Sequence, residues 1–137
     1  MNIKTPFILA AALLALAIPV LSSHGEDQGA LKKLMTKKLE NSQKVLEGLA
    51  LNDYDLVAKH AAELIQISKA AEFRVLKTPQ YELNSNDFRR AAETMIQQAK
   101  AKNTDGIALA YVDLTLSCVR CHKHVRETRM ASLDVDR

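Results

Sequence analysis

Both cysteines of the chain and one of its four histidines fall within five residues, Cys118-Val119-Arg120-Cys121-His122. On a helix, positions i, i+3 and i+4 share a face, so the two thiols and the imidazole project the same way. Such a set could bind zinc, but a tetrahedral site needs a fourth ligand and no second C-x-x-C follows. A redox-active C-x-x-C expects a βαβ setting, and no segment here alternates at period two. A disulfide across two residues closes so small a loop that it removes little unfolded-state entropy. One chemistry uses all three groups. Two thiols add to adjacent vinyl groups of a porphyrin, and a histidine directly after them holds the iron; C-x-x-C-H is the signature of c-type haem attachment. The expectation is one covalent haem c on Cys118 and Cys121, with His122 as the iron ligand.

The chain begins with a single lysine, Lys4, ahead of an apolar run from Phe7 to Leu21, then small polar residues. A membrane span needs roughly 20 apolar residues, so this shorter run reads as a secretory signal peptide. The expected organisation is a signal at 1–25, with cleavage after Ser22, Ser23 or Gly25, and a haem-bearing domain at 26–137. Export to the periplasm follows, with no stable membrane insertion after cleavage. It also suits the motif, because this kind of attachment happens outside the cytoplasm. Without Lys4 the chain keeps 18 basic and 16 acidic residues, scattered along its length. No basic stripe marks a nucleic-acid binder. Neither paired carboxylates, nor a nucleophile with a base, nor a phosphate-binding glycine loop appears, so no enzyme is expected. The lysines at 32, 33, 37 and 38 form a solvated face, which could also dock an acidic redox partner.

Beyond the signal, good helix formers dominate and punctuation is sparse. Four helices are expected. The first covers about 28–50, with Leu31, Leu34, Met35, Leu39, Val45, Leu46 and Leu49 as its apolar stripe. The second covers 53–74, capped by Asn52, with Leu56, Val57, His60, Leu64, Ile67 and Ala71 inward. Pro79 bars continuous helix through the connection that follows. The third covers 86–102, capped by Asn84 or Ser85, with Phe88, Ala92, Met95, Ile96 and Ala99 inward. The fourth starts after Thr104 or Asp105 and runs to about 130. It places Ile107, Ala110, Tyr111, Leu114, Cys118, Cys121, His122 and Val125 on one side. Four amphipathic helices with short connections make an all-α, antiparallel up-down-up-down four-helix bundle.

The residue across the iron from His122 decides between electron transfer and gas binding. Candidates are Met35, Met95, Met130, His60, His124 and His24. In an up-down bundle the first and last helices are antiparallel neighbours, which sets Met35 near the level of His122 at 1.5 Å per residue. His60 falls about 15 Å short along the axis, and Met95 by a similar distance. Met130 lies on the same helix as His122. His124 is about 200° round from it and faces outward. His24 leaves with the signal if cleavage follows Gly25.

An exported four-helix chain with its C-x-x-C-H near the C-terminus resembles the cytochrome c′ and cytochrome c-556 family, chiefly through "CVRCHKHVR" and more loosely through "LMTKKLENSQKVLEGL". The resemblance implies that Arg126, four residues after His122, lies near a haem propionate. It implies two kinds of iron site. The c-556 proteins use a methionine ligand, here Met35. Cytochromes c′ leave the iron five-coordinate beneath an apolar side chain, here Leu31, Leu34 or Leu39. His/Met ligation raises the reduction potential and suits an electron carrier exchanging with redox partner proteins. The alternative binds nitric oxide or carbon monoxide. Relatives of this shape also imply a homodimer through the first two helices.

Overall fold

A computed structural model describes residues 23–70 and 76–135, and side-chain surroundings for 28–70 and 76–132. The apolar run at 7–21 and the inward position expected for Ala71 lie outside these residues. The described chain forms four helices, α1 (Ser23–Leu51), α2 (Tyr54–Lys69), α3 (Pro79–Lys100) and α4 (Thr104–Val135). Each packs on its neighbours in sequence and the diagonal pairs stay apart, giving the antiparallel four-helix bundle. The α1–α4 pair packs least closely of the four sides. Among the described residues no helix is long and apolar enough to cross a membrane.

The two hairpins, α1–α2 and α3–α4, turn in the same way at the same end. Asn52 and Lys102 take left-handed backbone (φ 56° and 53°). Asp53 N–H then bonds Gly48 C=O at 2.8 Å, and Asn103 N–H bonds Gln98 C=O at 2.9 Å, so each helix closes its last turn with a Schellman motif. The residue that ends one helix caps the next. Asp53 Oδ1 accepts from Leu56 N–H at 2.9 Å, and Asn103 Oδ1 from Gly106 N–H at 3.1 Å. Asn52 therefore terminates α1 rather than capping α2. The turns are tied together, because the Tyr54 hydroxyl meets Thr104 Oγ1 at 3.1 Å and Thr104 donates to Asn52 Oδ1 at 3.2 Å. Gly48 fits closely here, since a Cβ on it would sit 2.9 Å from Val57 Cγ2 and 3.0 Å from Asp53 O.

The third helix begins well before residue 86. Pro79 occupies its first turn, where the missing N–H costs nothing, and Thr78 caps it by accepting from Tyr81 N–H. Asn84 and Ser85 are interior residues of α3, not caps. At the far end of α2 the helix stops at Lys69, short of 74.

The buried core comprises Val45 of α1, Val57, Ala61, Leu64 and Ile65 of α2, Phe88, Ala91, Ala92, Met95 and Ala99 of α3, and Ile107, Ala110 and Leu114 of α4. Leu39 and Leu46, expected inward, are 60% and 48% exposed. At 100° per residue each is turned 100–120° from Val45, onto the edge of α1 beside α4. The stripe that faces inward on α1 is instead Leu31, Leu34, Lys38, Asn41, Val45 and Leu49, none of them fully exposed.

Candidate haem site

Beyond Leu114 and Phe88 the interior changes character. Cys118 is half-buried against the end of the core, and Cys121 is half-buried one turn later. His122 is exposed. The expectation that all three point inward needs correcting. The step from Cys121 to His122 is 100°, and it carries the imidazole across the lip of the bundle. Eleven residues earlier on α4, Tyr111 meets Ser42 of α1 through a 3.3 Å hydroxyl bond. Eleven residues is a near-integral number of turns, so His122 faces the same way as Tyr111, into the open crease between α4 and α1.

Met35 lies two turns before Ser42 on α1 and faces the same crease, half-buried. Two contacts fix the register. Counting eleven residues from the Ser42–Tyr111 contact sets His122 level with Leu31, and counting eighteen from Asn52–Thr104 sets it level with Leu34. Met35 is one to four residues from that level, about 2–6 Å. Leu31 and Leu34 are also half-buried here. Arg126 is exposed one turn after His122 along the same side.

The remaining candidates lie elsewhere. His60 is half-buried nearer the turn end, its Nδ1 2.8 Å from Asn41 Oδ1. Met95 is fully buried core, and Met130 is 66% exposed. His24 lies outside the residues whose side chains are described. His124 does not face solvent as expected. It is half-buried, with Nε2 2.8 Å from Thr78 Oγ1, because α3 starts two turns early and brings its cap against α4.

Lys38 completes the site and was not foreseen as part of it. Its Nζ lies 3.5 Å from the centroid of Phe88, a buried ring on the opposite helix. The side chain thus crosses the interior between the thiols and α3. Burial depresses its pKa to about 8, partly offset by Cys118 and Cys121, while Arg89 lowers it further. Burial likewise raises both thiols, and Lys38 opposes that rise; Cys118 in addition raises Cys121. Asn84, one turn before Phe88, is buried, and its Nδ2 has no hydrogen-bond partner among the described residues. A signal existed in the sequence: following the 3–4 spacing from Leu34 to Val45 lands on Lys38 and Asn41, two polar residues in an apolar stripe.

The donor set discriminates between groups. Zinc needs its ligands to converge on one point. Among the described residues no three His, Cys, Asp or Glu side chains do so. A porphyrin asks for something else: two thiols along one edge of a slot and an imidazole reaching its centre. Cys118, Cys121 and His122 on one helix, beside the most loosely packed side of the bundle, fit that demand. No protein-family model matches the chain, and neither curated proteins nor solved structures yield a match.

Proposed function

We propose that this chain is an exported, periplasmic c-type cytochrome of the cytochrome c′ and c-556 kind, carrying one covalent haem and transferring single electrons. The observation that carries the reading is the placement of C-x-x-C-H on α4 along the loose α1–α4 crease, with Met35 on the facing wall near the level of His122. Haem, when bound, supplies a reversible one-electron couple at iron. The chain's own residues account for the rest. Cys118 and Cys121 anchor the ring by thioether bonds to α4, and His122 ligates the iron without a separate search. Met35 ligates from α1 and Arg126 neutralises a propionate at the open edge. Half-buried Leu31 and Leu34 exclude water from the iron.

Leu31 and Leu34 also support a second reading. They sit as close to the level of His122 as Met35 does, so an apolar roof over five-coordinate iron, with capture of nitric oxide or carbon monoxide, uses the same crease. Absorption spectra of the exported protein in both redox states separate the readings. The first expects low-spin iron with a methionine-to-iron band that Met35→Ala converts to high spin. High-spin iron in the unaltered protein, unchanged by Met35→Ala, selects the second.

A further inference from the structure

The outer face of α4 is apolar where a solvated face is expected. Leu109 is 71% exposed, Val112 54%, Leu116 47% and Val119 58%. Their spacing of three, four and three residues is that of a coiled-coil seam. They point away from the core face of Ile107, Ala110 and Leu114, so α4 is apolar on both sides over this stretch. An apolar stripe on a helix is ordinarily the face that packs against another element. Scattered exposed apolar residues are ordinary, but four in register on one helix mark an interaction surface.

The residues that continue the seam say what covers it. One step of four before Leu109 is Asp105, and one step of four after Val119 is Lys123, both exposed and both on the same line of the helix. An antiparallel two-fold pairing of α4 with itself, centred at residue 114, sets Leu109 opposite Val119 of the partner subunit and Val112 opposite Leu116 of the partner subunit. Larger side chains then meet smaller ones throughout. The same axis sets Asp105 against Lys123 of the partner subunit at both ends, closing a contact about 27 Å long. Parallel pairing in register would oppose like charges at both ends, which is unfavourable. Among the described residues the ion pair that Lys123 gives up is a long, exposed contact of 3.8 Å with Glu127.

We propose that this protein self-associates as an antiparallel two-fold dimer through the outer face of α4, with Asp105–Lys123 pairs setting the register. The interface differs from the α1–α2 pairing that the family resemblance implies, and it does not depend on the haem assignment. A single helix pair is a small interface, so the dimer forms reversibly, at a Kd of roughly micromolar.

Sedimentation equilibrium of the protein over a concentration series tests this, with circular dichroism and thermal unfolding confirming that each variant keeps its fold. Leu116→Glu is expected to leave a monomer at all concentrations. Lys123→Asp is expected to weaken association at least about tenfold, equivalent to about 1.4 kcal/mol. Combining it with Asp105→Lys is expected to recover most of that loss. A protein that stays monomeric to roughly 100 times that Kd overturns the proposal. So does a dimer indifferent to Leu116→Glu, or a double swap no better than Lys123→Asp alone.

Discussion

At the end of the bundle where Asn52 and Lys102 turn the chain, the two hairpins are built alike and bonded together, and the interior is aliphatic. At the opposite end, among the described residues, the interior holds two thiols, an ammonium group over Phe88 and an amide nitrogen without a partner. The same four helices form both ends, so the difference lies in side chains alone. The turn end is finished as it stands. The cysteine end carries reactive and polar side chains where the turn end carries apolar ones, and that is the end to which the proposed cofactor is assigned. Burial of a polar group without a partner costs stability, and among the described residues Asn84 Nδ2 at the cysteine end is such a group.

The sharpest way to break the comparison is at the thiols. Replacing Cys118 and Cys121 together by serine should abolish haem attachment, leaving a colourless chain that keeps its helical circular dichroism. If colour persisted with the ring still bound covalently, the division into a structural end and a cofactor end would fail. Leu114→Ala belongs to the other half. It leaves a cavity in fully buried core and should cost about 2–5 kcal/mol in denaturant unfolding without altering the absorption maxima. An altered spectrum at unchanged stability would show the core end to be part of the site.

Lys38 offers a test by pH. In the folded chain its pKa is about 8, below the ordinary value of 10.5. Between those values the unfolded chain holds a proton that the folded chain does not, so stability rises with pH across that window; the full penalty applies below about 8. In the chain with both cysteines changed to serine, the two influences that raise this pKa are gone, so the rise begins at or below pH 8. It should amount to something on the order of 1–3 kcal/mol and vanish on Lys38→Leu. A flat profile with lysine in place would mean that the ammonium is solvated. The smallest effect is expected at Gly48, where an added methyl group crowds Val57. The overpacking outweighs the helix propensity gained, for a net loss of about 1 kcal/mol by thermal unfolding.

The helical periods of Val57, Leu64, Phe88, Ala92, Met95 and Leu114 announced the bundle, and they pack as their spacing implies. The C-x-x-C-H set was legible for a different reason: its three side chains lie within five consecutive residues. What escaped depended on contacts between helices. Pro79 reads as a breaker until Thr78 is seen capping the turn that it opens. His124 reads as exposed until that early turn of α3 reaches it. Lys38 reads as one of a solvated run of lysines, because a long side chain on the core stripe can bury its end or free it, and neighbours decide. The outer stripe of α4 lay in plain sight, but a helix apolar on two faces becomes unusual only once one face is shown to be filled.

The central claim is that Cys118 and Cys121 hold a haem. Its most direct test is the intact mass of the chain exported by a host able to attach haem c, measured alongside thiol alkylation under denaturing conditions. The expected result is a mass increased by one haem, a haem-bearing peptide spanning Cys118 to His122, and no thiol open to the reagent. A chain of unmodified mass, colourless, with both thiols alkylated, would contradict it.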